Sequence, residues 1–211
     1  MCPIATFRAA LLLGGSTLLS AGAVAQDLTD DGLPPAGYGR LNQDDLSIGM
    51  RTASLDIRLT ILQESALRLL NQDAYTSLHQ LVESKRSQID SIMRVMGISH
   101  PGLLMVRYFS LAEGTRFDAQ LLTANVNTLF LTPVAIIPLT ASIQSDRLGR
   151  RQQANGIYIF ADPLTPYVPM SFTYETATTN AWDRNKVENL LRERNRIQAR
   201  VMQDQGSDGG R

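Results

Sequence analysis

Residues 127–140 read NTLFLTPVAIIPLT, the longest apolar run of the chain once the N-terminal leader is set aside. The run has no charged side chain, and Pro133 and Pro138 interrupt it. It is therefore not a regular helix, because each proline removes a backbone donor and clashes with the preceding turn. It is also shorter than the ~20 apolar residues that a membrane-spanning helix needs. We expect a bent β-strand, buried on one side by a facing sheet and on the other by a helix, since both alternating positions are apolar.

Alternation of apolar and polar residues predicts the other strands. It is clearest in 54–62, where Leu55 and Ile57 alternate with Asp56 and Arg58, as in a half-buried strand. Further strands are predicted at 104–111, 121–123, 154–161 and 170–176. We expect 54–62 to lie beside 104–111 in one sheet. Short strands separated by turns are typical of a sandwich of two antiparallel sheets, of which an immunoglobulin-like topology is one form.

Apolar residues at spacings of three and four predict a long helix on each side of the strand-rich region. The first, 73–96, begins at Asp73 as N-cap and ends at Gly97. The second, 180–204, begins at Asn180. Shorter features are a helix within 63–71 and loops over 143–151 and 162–169. The predicted fold class is α+β, a small antiparallel β-sandwich packed with one long helix before it and one C-terminal helix.

The first 25 residues have the features of a secretory signal peptide. Arg8 is followed by an apolar stretch over 9–19 and by the small-residue motif that ends at Ala25. We expect cleavage between Ala25 and Gln26, and a mature protein in the periplasm or outside the cell. An uncleaved anchor helix is the disfavoured alternative, because the apolar stretch is short. The expected divisions are a signal peptide at 1–25, a flexible linker at 26–45, one globular domain at 46–204 with its β-rich core at 103–176, and a disordered tail at 205–211.

Charge and cysteine content exclude several classes of protein. The 20 Lys and Arg residues balance the 20 Asp and Glu residues, so the chain has no overall positive field that would attract nucleic acid. The single cysteine, Cys2, lies in the leader, so the mature chain has no disulfide, thiol nucleophile or cysteine-based metal site. The spacing of Asp27, Asp30 and Asp31 does not match a calcium-binding loop. We expect no metal or cofactor.

Few residues qualify as catalytic groups. His79 and His100 are the only histidines, and neither lies in a metal-binding motif. Ser99 stands next to His100, but the surrounding sequence lacks the second glycine of a GxSxG hydrolase motif. Carboxylates that could form a glycosidase pair are expected at strand ends and loops, namely Glu113, Asp118, Asp146, Asp162 and Glu175. Solvated loop carboxylates are the favoured interpretation, so no catalytic residue is assigned.

Two features suggest binding. The predicted helix 180–204 carries a cationic set that would suit an acidic partner or a membrane surface. Its members are Arg184, Lys186, Arg192, Arg194, Arg196 and Arg200. The interspersed acidic residues favour a salt-bridged, solvent-facing helix instead. The aromatic residues Tyr158, Phe160, Phe172 and Tyr174 would line a sugar or peptide groove if they faced outward, although such residues usually belong to a core.

The sequence thus predicts an exported envelope protein that acts as a non-catalytic binding or assembly module for a protein or glycan. One alternative is a small secreted hydrolase with a carboxylate or Ser/His site in the β-loops. Another is an accessory subunit that docks through the arginine-rich C-terminal helix; contact with a membrane surface is not favoured. An exposed apolar sheet face or an open edge strand would favour the binding module. A concavity with converging carboxylates or paired Ser99 and His100 would favour the enzyme.

Overall fold

The computed structural model describes residues 33–145 and 147–208, so the predicted signal peptide lies outside the described residues. Within these ranges the protein is a mixed α+β structure with antiparallel sheets. The strands are β1 (Ser47–Arg51), β2 (Leu55–Ile61), β3 (Gly102–Ser110), β4 (Thr115–Arg116), β5 (Leu122–Val126), β6 (Leu129–Leu131), β7 (Pro133–Pro138), β8 (Arg147–Leu148), β9 (Gln153–Phe160), β10 (Met170–Tyr174) and β11 (Ala177–Trp182). The α-helices are α1 (Glu64–Leu67), α2 (Gln72–Ser84), α3 (Arg86–Met96) and α4 (Arg184–Asp208). Short 3₁₀ helices cover Gln43–Leu46, Ala119–Leu121 and Ala141–Gln144.

Two antiparallel sheets carry most of the core. A five-stranded sheet has the order β1-β2-β3-β9-β7, and a four-stranded sheet has the order β11-β10-β5-β6. The predicted pairing of 54–62 with 104–111 is confirmed, since β2 lies antiparallel to β3 with Leu59 opposite Val106. The immunoglobulin-like topology is not confirmed. The loop predicted over 143–151 contains the short strand β8, which pairs with β4.

Aromatic side chains of the two sheets contact each other in the core. Tyr108 on β3, Tyr158 on β9 and Tyr174 on β10 are fully buried. The rings of Tyr108 and Tyr174 lie 5.5 Å apart between centroids, and the hydroxyl oxygens of Tyr108 and Tyr158 lie 2.9 Å apart. Since β3 and β10 belong to different sheets, this contact fixes which face of each sheet points inward.

Residues 127–140 do not form one buried strand, so that prediction is wrong. The chain forms β6 at the free edge of the four-stranded sheet, passes through Thr132, and forms β7 at the free edge of the five-stranded sheet. Leu129 is 58% exposed and Phe130 is 80% exposed, and much of β7 is only half-buried. Prolines explain the placement, because a residue without an N–H is tolerated at a sheet edge rather than in a central strand. The run is a corner at which the chain passes from one sheet to the other.

The prediction of a single helix over 73–96 is also wrong. This segment is divided into α2 and α3, which meet at Lys85, where ψ is 2° and the helical path is interrupted. Asn71 rather than Asp73 caps α2, since its side chain accepts a hydrogen bond from the N–H of Ala74 at 3.0 Å. Gly97 ends α3 as predicted, in the left-handed conformation with φ of 68° that glycine adopts without strain.

The C-terminal helix begins later than predicted. Asn180 does not cap it but lies on β11, and Asp183 accepts the N–H of Lys186 at 2.9 Å. Trp182, predicted on the helix, ends β11, where its buried ring donates its N–H to the carbonyl of Pro166 at 3.1 Å. None of the helices in the described part of the chain combines the length and apolar character that a membrane crossing requires.

Gly102, the first residue of β3, marks a close approach between the five-stranded sheet and the loop after β9. A Cβ atom there would lie 2.5 Å from the carbonyl oxygen of Asp162 and 2.8 Å from Cγ of Leu164. We therefore expect Gly102→Ala to lower the free energy of unfolding by about 1–3 kcal/mol, the usual cost of overpacking. Urea denaturation measures the change. Gly49→Ala on β1 is the matched control, since no atom lies within 4 Å of its Cβ position. Equal losses in the two variants would contradict the assignment.

Candidate functional site

The four-stranded sheet has no charged residue on any of its strands. Their sequences are LTANV, LFL, MSFTY and ATTNAW. Met170, Phe172 and Tyr174 point into the core, so the alternate residues of β10 form the outer face. A charged fraction of about 25–35% keeps a protein surface soluble, whereas the centres of interfaces are depleted of charged residues. A charge-free outer face is therefore a candidate contact surface.

Two rows of side chains cross this outer face. In the first row, Thr173 lies opposite Thr123 on one side and Thr178 on the other, with the hydroxyl oxygens of Thr173 and Thr178 3.1 Å apart. In the second row, Asn125 lies opposite both Ser171 and Phe130. We name this surface the polar face, and it comprises Thr123, Asn125, Phe130, Ser171, Thr173, Thr178 and Asn180.

A hollow of about 300 Å³ opens beside the second row. Its lining includes the uncharged polar residues Asn125, Asn127, Ser171 and Asn180, and the charged residues Asp183 and Arg184 stand at its border with α4. Within the described residues, the amide side chains of Asn125, Asn127 and Asn180 have no hydrogen-bond partner. The hydroxyl of Ser171 has none either. The hollow therefore offers donors and acceptors that the fold itself does not use.

A second concavity lies between the helices α2 and α3 and the start of β3. It has a volume of about 490 Å³, and Glu64, His79, Ser99 and His100 all contribute to its lining. We name it the helix cleft. The structure thus brings both histidines and Ser99 to one cleft. Ser99 and His100 make no side-chain hydrogen bond within the described residues, so they do not form a nucleophile–base pair.

His79 is held in the helix cleft by partners that sequence reasoning missed. Its Nδ1 lies 3.2 Å from a carboxylate oxygen of Glu64 and 3.3 Å from the hydroxyl oxygen of Tyr75. Tyr75 donates its one proton to Glu64 at 3.1 Å, and burial followed by the Glu64 charge raises the pKa of Tyr75, which keeps it protonated. Both contacts of Nδ1 then require a proton on that nitrogen. Neutral His79 consequently presents Nε2, which has no partner among the described residues, as an acceptor.

The predicted loop carboxylates are held in separate turns. Glu113 accepts the N–H of Arg150 at 2.9 Å, and Asp118 accepts the N–H of Gln120 at 2.8 Å. Asp162 follows β9, Glu175 lies in the turn between β10 and β11, and Asp146 lies outside the described residues. Over 33–145 and 147–208, no three His, Cys, Asp or Glu side chains are grouped as a metal site would need.

The aromatic groove is not formed. The side chains of Tyr158, Phe160, Phe172 and Tyr174 are fully buried, so the core interpretation is confirmed. Burial raises the pKa of Tyr174 to about 12 and that of Tyr158 further above the usual range. Tyr158 donates its hydroxyl to the carbonyl of Ala119 at 2.8 Å. On the four-stranded sheet, the exposed aromatic ring is instead that of Phe130.

Most cations of α4 contact the protein's own residues. Lys186 donates to the carbonyl of Ser47 at 2.9 Å and lies 5.4 Å from the centroid of the Trp182 ring. Arg194 lies over the ring of Tyr167 at 5.1 Å. Arg200 lies 5.7 Å from the ring centroid of Tyr38, which belongs to the described part of the predicted linker. These contacts fix α4 on the body of the protein.

Glu193 joins this linker segment to α4. Its carboxylate, with a side chain 10% exposed, accepts the backbone N–H of Arg40 at 2.7 Å and two bonds from Arg196 at 2.8 and 2.7 Å. The hydrogen bonds from Arg196 are the main cause that lowers the pKa of Glu193 below its usual value. The hydrogen bond from the N–H of Arg40 lowers this pKa further. Part of the segment predicted to be a flexible linker is thereby anchored.

Comparison of the chain with protein-family models, with curated proteins and with solved structures found no match.

The lowered pKa of Glu193 predicts a pH-dependent contribution to stability. A carboxyl group whose pKa is lower in the folded state stabilises the fold above its unfolded pKa of about 4.5 and loses that effect as the pH falls through the folded value. We therefore expect Glu193→Gln to cost about 1–3 kcal/mol of unfolding free energy at pH 7. The difference from the unsubstituted protein should shrink below pH 4.

Urea denaturation at pH 7 and pH 3 measures this difference. Glu188→Gln is the matched control, because Glu188 is an exposed carboxylate on the same helix. A Glu193→Gln effect that stays constant from pH 7 to pH 3 would disprove the electrostatic origin.

Proposed function

We propose that the protein is an exported, non-catalytic binding module of the bacterial envelope that recognises a neutral glycan on the polar face. One observation carries the proposal: the strands that form this face have no charged residue, and the face presents hydroxyl and amide groups in two ordered rows. We infer export from the leader at 1–25, because envelope polysaccharides lie outside the cytoplasm.

The chemistry of the polar face suits sugar hydroxyl groups. Amide and hydroxyl side chains both donate and accept hydrogen bonds, as sugar hydroxyls do. A ligand that lies along the two rows meets no charged side chain of these strands, so the large desolvation cost of a buried charge is confined to Asp183 and Arg184 at the hollow. The exposed ring of Phe130 stands in the same row as Asn125 and can cover the apolar side of a sugar ring.

The hollow beside the second row supports a small-molecule contact. Its volume of about 300 Å³ lies at the lower end of the range for ligand pockets, about 300–1,000 Å³. The free amides of Asn125, Asn127 and Asn180 line it, and Asp183 and Arg184 border it. One sugar residue in the hollow and its neighbours along the rows of the polar face would use both features.

We infer that the two larger sheets pack face to face as a β-sandwich with the polar face outermost. The contact between Tyr108 and Tyr174 and the position of β1 alongside β11 support this arrangement. In a sandwich only the outer face of each sheet meets solvent. The rows on β5, β10 and β11 are then free to meet a ligand.

Introducing one charge on the polar face tests the glycan proposal. Asn180 is exposed in the hollow, and Asn180→Asp keeps its size while it adds a charge and removes the amide donor. We expect the unsubstituted protein to be retarded by at least one of laminarin, galactomannan or hydroxyethylcellulose in affinity electrophoresis. Asn180→Asp should weaken that binding at least 10-fold, because the added carboxylate loses hydration on contact.

Asn189→Asp on α4 is the control, with the same change at an exposed position outside the hollow, where the side-chain oxygen accepts a hydrogen bond from Arg192. It should bind as the unsubstituted protein does. Retardation by acidic alginate alone, or equal weakening by both substitutions, would contradict the neutral-glycan proposal.

A second candidate function is ester hydrolysis in the helix cleft, favoured by the Glu64–His79 pair. A carboxylate that holds Nδ1–H orients an imidazole as a general base. His79 Nε2 would take a proton from water as the water oxygen attacks the ester carbonyl carbon. The ester C–O bond then breaks, and the leaving alkoxide receives that proton, which restores neutral His79.

Hydrolysis of p-nitrophenyl butyrate tests this candidate. We expect His79→Gln to lower the rate about 100-fold, within the usual contribution of a general base. His100→Gln is the matched control, since His100 lies in the same cleft without a hydrogen-bonded carboxylate among the described residues. A rate that falls with His100→Gln or Ser99→Ala but not with His79→Gln would reject His79 as the base.

A further inference from the structure

The four-stranded sheet ends in an edge that is open to another strand. At its other edge β11 lies alongside β1, whereas β6 has β5 as its single neighbour in the sheet. The free edge of the five-stranded sheet is β7, which begins at Pro133 and ends at Pro138. Neither proline has an N–H to offer, and prolines are a common way of protecting an edge from pairing. Of these edges, β6 is therefore the one suited to adding a strand.

The backbone of Phe130 faces this open edge. Val126 and Leu129 are paired across the two-residue turn at 127–128, in which Asn127 has a φ of 59°. The pair that flanks such a turn exchanges hydrogen bonds, and antiparallel pairs alternate between bonded and non-bonded. Leu129 and Leu131 thus bond to β5, and the N–H and C=O of Phe130 point away from the sheet.

We propose that a second copy of this chain pairs with β6 about a two-fold axis and joins the two four-stranded sheets into one sheet of eight strands. An antiparallel pairing centred on Phe130 lets each copy donate the N–H of Phe130 to the C=O of the other. In such an isologous contact only a residue on the two-fold axis, here Phe130, faces its own copy. The same operation sets Leu129 of one copy opposite Leu131 of its partner.

The side chains at this edge fit a second copy. Phe130 is 80% exposed and Leu129 is 58% exposed, and an aromatic pair across two strands contributes favourably. A charged side chain at the two-fold axis would meet its own copy, and like charges directly opposite each other oppose pairing. Residues 119–145, which include the whole of β5, β6 and β7, contain no charged residue and no histidine. The edge also lacks the lysines with which natural proteins discourage such pairing.

Pairing through β6 would place two polar faces side by side on one continuous sheet. This inference stands on the open edge and does not depend on glycan binding. If both proposals hold, two binding surfaces act on one polymer, and the second contact forms at a raised effective concentration. A dimer without glycan binding, or glycan binding by a monomer, would separate the two proposals.

Sedimentation equilibrium of the protein recovered after export tests the pairing. We expect a reversible monomer–dimer equilibrium, and we expect Phe130→Lys to raise the dimer dissociation constant at least 10-fold by placing two like charges at the axis. Val95→Lys is the matched control, because Val95 on α3 is also an apolar residue with 80% exposure. A monomer at every concentration, or a dimer that Phe130→Lys leaves intact, would overturn the proposal.

Disulfide capture gives a second measurement that does not depend on the strength of the pairing. The expected mature chain has no cysteine, so Phe130→Cys introduces a single thiol. In the proposed pair the two Cα atoms would be about 5.5 Å apart, within the ~4.4–6.8 Å that a disulfide spans. Oxidation should yield a covalent dimer of Phe130→Cys and not of Val95→Cys. Equal yields from the two variants would show random collision and reject the two-fold contact.

Discussion

Proline has no N–H to give to a neighbouring strand, and this constraint determines where residues 127–140 lie. With Pro133 and Pro138 at its ends, β7 can border the five-stranded sheet but cannot lie inside it. The preceding β6 must then pair elsewhere, and it does so with β5 in the other sheet. One apolar segment thereby supplies a free edge to each of the two sheets, and its exposed side chains follow from that position.

Much of the fold follows from periodicity along the chain, and what does not follow has identifiable causes. The alternation in 54–62 correctly predicted β2, because one face of that strand is buried and the other is wet. The position of residues 127–140 was not predicted, because their apolar side chains indicate burial, whereas the two prolines place the segment at the edges of sheets. The strand β11 was missed because ATTNAW has no apolar alternation; its β-branched threonines were the available signal.

The candidate sites were less predictable, because each depends on contacts between distant residues. Glu64 and His79 lie 15 positions apart on separate helices, and no local pattern relates them. The polar face likewise combines β5 with β10, whose paired residues Thr123 and Thr173 lie 50 positions apart. The individual threonines and asparagines are unremarkable in sequence. Only the register of the strands places them in rows.

The five-stranded sheet shows how this same chain forms a sheet surface that stays in water. Its exposed positions include Asp56 and Arg58 on β2, and Arg58 forms an ion pair with Asp44 at 3.3 Å. The strands of the four-stranded sheet have no such residue, although their outer face is also accessible. The composition of the chain as a whole therefore does not account for the difference. The difference is local to the polar face, and it is the observation on which the proposed contact with an uncharged ligand rests.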